Sequence, residues 1–93
     1  MSVVIVGGHD RMVNTYIEIC KKYKCKAKVF THMPADFRTK VGKPDLLVLF
    51  TNTVSHKMVI GALQAVENAD TKVERSHRSS ACALNEILEG YRA

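Results

Sequence analysis

Two short runs, Val3-Val4-Ile5-Val6 and Leu46-Leu47-Val48-Leu49-Phe50, carry no polar residue at any position. A strand with one face in water alternates apolar and polar side chains, so an unbroken apolar run means that both faces are covered. Each run leads through a polar turn into a segment with apolar residues at three- and four-residue steps, the period of a helix packed on one side. The cover therefore comes from helices. Strand and helix patterns alternate four times, which predicts an α/β domain: three layers, α/β/α, around a four-stranded parallel sheet.

Taken in order, Ser2–Val6 reads as the first strand, ended by Gly7-Gly8. The helix that follows is expected to bury Val13, Tyr16, Ile17, Cys20 and Tyr23, with Asp10 at its start as a cap or dipole partner. Residues 26–31 read as a second strand. Five lysines between Lys21 and Lys28 suit a helix C-terminus and a sheet edge guarded against pairing. Thr31-His32-Met33-Pro34 turns the chain, and a short helix is expected over 35–40. The polar stretch 51–57 follows the third strand, and Val54, Met58, Val59, Ala62, Leu63 and Val66 mark the third helix. Residues 72–76 form a charged fourth strand. The last helix is expected to bury Ala83, Leu84, Ile87, Leu88 and Tyr91 behind a Ser79 or Ser80 cap. The apolar first and third strands belong in the middle and the charged ones at the edges, giving the order 2-1-3-4. In such a sheet the chain reverses direction between strands one and three, so a crevice is expected there, between Gly7-Gly8-His9 and residues 51–56.

The 93 residues suit one domain, 1–93. No apolar run approaches the roughly 20 residues of a membrane span. Residues 2–6 lack the basic start and cleavage site of a signal peptide, so a cytoplasmic protein is expected. Cys20, Cys25 and Cys82 make an odd count without metal-type spacing and read as reduced thiols. The net charge of +5 favours anionic partners. Nucleic acid is disfavoured, because no aromatic or glycine pattern accompanies the lysines. A core this small favours association, so a homodimer or larger homo-oligomer is expected.

All four histidines, His9, His32, His56 and His77, come just after a predicted strand, which places them on one face of a parallel sheet. Solvated surface histidine is the commoner use of each, but a shared location for all four is not. They are the candidate metal ligands, held by tertiary proximity because no linear zinc motif exists. Gly7 and Gly8 form neither a dinucleotide fingerprint nor a P-loop, which disfavours NAD and ATP. Helix starts near Ser55, Ser79 and Ser80 offer N–H groups and hydroxyls to an anion, with Arg11, Lys57 and Arg78 adding charge. Thr51, Asn52 and Thr53 complete the expected crevice, and Met12, Met33 and Met58 are its candidate apolar lining. Helix capping, solvated cations and core methionines are the alternative uses of the same residues. Cys82, in the first turn of the last helix, is small packing volume or a thiol activated by the dipole.

Three segments, VVIVGGHDRM (3–12), PDLLVLFTNTVSHKM (44–58) and RSHRSSACAL (75–84), resemble a bacterial family catalogued as a domain of unknown function, number twenty-three twenty-five. The likeness runs nearly end to end. It implies a Rossmann-like fold, consistent with the pattern reading, and haem binding as in some members. His9, His56 and His77 lie inside the matching segments, and His32 lies outside. Lys72 and Glu74 stand where relatives are more apolar, which puts the length of the last strand in question.

The leading expectation is a small ligand-binding or sensor domain with non-covalently bound haem. Imidazole is the common haem ligand, and no Cys-x-x-Cys-His attachment motif exists. His9 and His56 rank first as iron ligands because they flank the expected crevice. The second class is a regulatory module binding a phosphorylated metabolite or nucleotide at helix N-termini. An enzyme using histidine as acid or base ranks last, since Asp10 is the one carboxylate near the site. A phosphorylated receiver domain is disfavoured because the third strand ends in Thr51, not aspartate.

Overall fold

The computed structural model describes residues 1–92, the last of these in its backbone only. Four parallel strands, β1 (Ser2–Val6), β2 (Lys26–Phe30), β3 (Leu46–Phe50) and β4 (Lys72–Ser76), form one sheet in the order β2-β1-β3-β4. The helices are α1 (Val13–Lys22), α2 (Phe37–Val41), α3 (His56–Val66) and α4 (Ala81–Arg92), with a 3-10 turn, Asp10–Met12, leading into α1. The fold is the expected three-layer α/β arrangement, Rossmann- or flavodoxin-like.

The two central strands divide their side chains between two cores, as a period of two requires. Val3, Ile5, Leu46, Val48 and Phe50 face α1 and α4, joining Tyr16, Cys20, Leu84 and Leu88. Val4, Val6, Leu47 and Leu49 face α2 and α3, joining Phe37, Val41, Met58, Ala62 and Val66. Ring contacts couple the layers: Tyr16 lies 5.3 Å from Phe50, and Phe30 meets Phe37 edge-on at 5.3 Å. Such pairs contribute about 0.5–1.5 kcal/mol beyond burial.

The edges follow their charge. Register places Lys26 and Lys28 beside Ser2 and Val4 on the α2/α3 face. The five-residue α2 leaves that corner open. Lys28 spans it, donating from Nζ to the Lys40 carbonyl at 3.3 Å, so its stem covers apolar floor while its charge stays wet. Lys72 and Glu74 do not shorten β4, which pairs with β3 along its five residues.

Helix phase departs from expectation in places. In α1, Tyr16, Ile19 and Cys20 are buried, whereas Val13, Ile17 and Tyr23 are half-buried. The 3-10 turn sets the phase of α1, and sequence period alone cannot carry that rotation. The short helix is Phe37–Val41, starting two residues and ending one residue later than the expected 35–40, because Asp36 (φ 58°) and Gly42 (φ 65°) break the helical path on either side. In α4, Ala83, Leu84 and Leu88 are buried, while Ile87 and Tyr91 pack on the core at its margin.

Candidate functional site

The face at the C-terminal ends of the strands is built from four loops. His9 follows β1, His32 follows β2, His56 opens α3 and His77 follows β4, so all four histidines lie on it, and all are exposed. They do not converge. Among the described residues, no group of three His, Cys, Asp or Glu side chains could hold a metal ion.

Between β1 and β3 the loops close on each other where a crevice was expected. The Gly8 amide donates to Thr53 Oγ1 at 2.7 Å, and Thr53 Oγ1 donates to the Phe50 carbonyl at 3.0 Å. A Cβ on Gly7 would lie 2.6 Å from Val54 Cγ1, and one on Gly8 would lie 2.5 Å from the Tyr16 hydroxyl. Both glycines have positive φ, 108° and 85°. They are needed here for close packing of the protein on itself. Tyr16 is fully buried, and its hydroxyl donates to the Ser79 carbonyl, tying α1 to the loop that leads into α4.

Beside this contact, Gly8, His9, Asp10, Thr31, His32 and Thr53 line an open hollow of about 440 Å3. The Asp10 carboxylate accepts from the Thr31 hydroxyl and pairs with His32 Nε2 at 3.1 Å. These bonds hold the Asp10 carboxyl below its ordinary 3.8, the Thr31 bond first and the His32 bond second. Asp10 therefore does not cap α1. The His9 ring caps the 3-10 turn ahead of α1, accepting the Arg11 amide at Nδ1 over 3.4 Å, and α1 itself starts after Met12 without a side-chain cap. The Asp10–His32 pair went unseen in the sequence. Its signal was the β1/β2 pairing, which brings the residues just beyond Val6 and Phe30 side by side.

A second hollow, about 470 Å3, lies between α3 and β4. Its walls are Val54, Val59, Ile60 and Leu63. His56 and Thr51 stand at its rim, and Arg75 of β4 faces them. Arg75 was not among the expected site residues. Ile60 is 42% exposed and also lines the neighbouring hollow between α2 and α3. Imidazole is a common haem ligand, and this lining sets one beside aliphatic side chains and a guanidinium. His77 lies nearby, its Nδ1 3.3 Å from Thr51 Oγ1.

The remaining candidates are placed as follows. Ser55 caps α3, accepting the Met58 amide at 3.2 Å, and Ser80 caps α4, accepting the Ala83 amide at 3.2 Å. Ser79 supplies its carbonyl to Tyr16. Met58 is buried beneath α3, and Met12 packs on the α1/α4 core. Arg78 pairs with Glu86 at 3.4 Å on the surface. Arg11, Asn52 and Lys57 are exposed. Cys20, Cys25 and Cys82 are free thiols.

The fold and the loop-built face define a small doubly wound α/β domain with its polar chemistry at the strand C-termini. The chain belongs to the family described as an uncharacterized protein conserved in bacteria (DUF2325), which it matches over residues 2–91. No curated protein and no solved structure matches it at a significant level. Among the described residues, no helix is long and apolar enough to cross a membrane.

Proposed function

We propose that this domain is a ligand-binding or sensor module that takes haem in the hollow between α3 and β4, with His56 as the iron ligand. The observation that supports it is the grouping of His56, the Val54–Val59–Ile60–Leu63 wall and Arg75 around one space. Its volume falls in the roughly 300–1,000 Å3 range of small-molecule sites. Val59, Ile60 and Leu63 give the macrocycle an apolar surface. Arg75 would pair with a propionate, and His56 would offer its imidazole from the first turn of α3. Bound haem would supply a redox-active iron able to take a small gas molecule or an electron. The hollow is open to solvent, and association with a second copy, expected for a domain this small, would cover it.

Titration of the purified protein with haemin tests this. A Soret band should appear at one equivalent per chain. His56→Ala should shift or abolish it, and His9→Ala should leave it. Arg75→Ala should keep the band and weaken affinity roughly tenfold or more, the worth of a charge-assisted hydrogen bond. A Soret band indifferent to His56→Ala would sink the assignment. A sedimentation mass of one chain at micromolar concentration, with and without haemin, would remove the second copy.

A phosphorylated ligand at the helix starts is the weaker reading. The Ser55 and Ser80 hydroxyls it would use are occupied by their own helices.

A further inference from the structure

At the opposite end of the sheet from the histidines, α1 ends in a turn that brings two cysteines together. The Cys25 amide donates to the Cys20 carbonyl at 2.8 Å, and the Lys24 amide donates to the Lys21 carbonyl at 2.9 Å. Lys24 sits between them with φ 59°. This is the Schellman ending of a helix, a six-to-one bond enclosing a five-to-two bond around a left-handed residue. In that motif the first and sixth side chains touch, and they are ordinarily an apolar pair. Here both are cysteine.

We propose that Cys20 and Cys25 form an oxidisable dithiol, closed to an intramolecular disulfide by a hydroperoxide. The six-to-one bond limits their Cα separation to about 6.7 Å from standard backbone lengths. A disulfide spans Cα separations of about 4.4–6.8 Å, so the bridge needs no movement of α1 relative to β2. Both side chains belong to the same core cluster. Cys82 cannot compete for either one without rearrangement, because it lies in the first turn of α4, at the other end of the strands.

The two thiols have different roles. Cys20 is fully buried and Cys25 is 8% exposed. Burial, and after it the neighbouring Cys25, pushes the Cys20 thiol up to about 11. Cys25 is therefore the group that meets the oxidant. Its thiol contacts the Tyr23 carbonyl at 3.4 Å. Its thiolate attacks one peroxide oxygen, the S–O bond forms, the O–O bond breaks, and alcohol (water, from hydrogen peroxide) leaves. Cys20 then attacks the Cys25 sulfenic sulfur. The S–S bond forms, and hydroxide departs as water with the Cys20 proton. Two thiols and one hydroperoxide give one disulfide, one alcohol and one water. A hydroperoxide is small enough for a nearly covered thiol, where a bulky disulfide reagent is not.

Trypsin reads the result directly, because Lys21, Lys22 and Lys24 lie between the two cysteines. After hydrogen peroxide treatment and non-reducing digestion, the peptide carrying Cys20 and the one carrying Cys25 should appear as a single linked species, two hydrogens lighter than their sum. Dithiothreitol should separate them, and Cys82→Ser should leave the result unchanged. In Cys20→Ala, dimedone should trap a sulfenic acid on Cys25. The wild-type digest decides the matter even if that variant folds poorly. Recovery of both Cys20 and Cys25 as thiols once Cys82 is fully oxidised would overturn the proposal. So would a Cys25–Cys82 link, or Cys25 driven to sulfinic acid while Cys20 stays reduced.

Discussion

The Gly8 amide and the Thr53 hydroxyl meet at 2.7 Å, and this bond joins the loop after β1 to the loop after β3 at the sheet's reversal point. In open parallel sheets that point is where a ligand commonly enters. Here the same hydroxyl also donates to the Phe50 carbonyl, so Thr53 satisfies two backbone groups at once and the loops close over the gap. Open hollows lie to either side instead, one toward His32 and one toward His56.

Replacing Thr53 tests that clasp. Thr53→Val removes both bonds and should destabilise the domain by about 1–2 kcal/mol, given a net 0.5–1.5 kcal/mol per hydrogen bond. Thr53→Ser keeps the hydroxyl and should recover most of the loss. Urea unfolding midpoints of the two variants provide the comparison, and equal midpoints would remove Thr53 from its structural role.

The glycines beside it should separate sharply by position. Gly7→Ala and Gly8→Ala each put a side chain at positive φ and into an occupied space: Val54 Cγ1 at 2.6 Å in one case, the buried Tyr16 ring in the other. The backbone cost alone is about 1–2 kcal/mol, and the overlaps add to it. Gly90, inside α4, has nothing within 4 Å of its would-be Cβ. Gly90→Ala should stabilise by about 0.5–1 kcal/mol, the helix propensity difference. Thermal melts of the three variants should fall on opposite sides of the wild type.

Asp10 gives the domain an acid-sensitive contact. Its carboxyl titrates below 3.8 in the folded state, through the Thr31 bond first and His32 second. A group with a depressed folded-state value stabilises the fold above its unfolded-state value, and the contribution disappears as pH falls through the folded-state one. The loss therefore lies in the window from near 3.8 downward, and neutral pH leaves it intact. Carbon-detected NMR of the Asp10 carboxyl should show a midpoint below 3.8. Thr31→Val should raise that midpoint more than His32→Ala does. The reverse order would reassign the main partner.

Much of this architecture is legible in the residues. The runs Val3–Val6 and Leu46–Phe50 could only be central strands, and Lys26, Lys28 and Lys72 marked the edges. Parallel pairing then fixed the histidines on one face. What periodicity could not carry is rotation and loop contact. Ile19 takes the buried place expected of Ile17 because a 3-10 turn sets the helix phase. Asp10 turns away from α1 because Thr31 and His32 arrive beside it from a strand 24 positions on in register. Arg75 reads as an edge-strand charge until α3 is seen to lie opposite it.

The helix caps offer a way to tell structural serines from ligand-binding ones. Ser55 and Ser80 each accept an amide of their own first turn at 3.2 Å. Cap loss costs about 1 kcal/mol, within a range of roughly 0.5–2. Ser55→Ala and Ser80→Ala should each lower stability by that amount, while Ser55→Asp, which can still accept the bond, should not. If the serines act only as caps, neither alanine change should alter haemin affinity once measured well below the melting temperature, whereas Arg75→Ala should. If the start of α3 instead holds a phosphate, Ser55→Ala and Lys57→Ala should both weaken inorganic phosphate binding, and Ser55→Asp should abolish it by repulsion. Calorimetric titration with haemin and with phosphate on the same five variants separates the two ligands, because the first pattern turns on Arg75 and the second on Ser55 and Lys57.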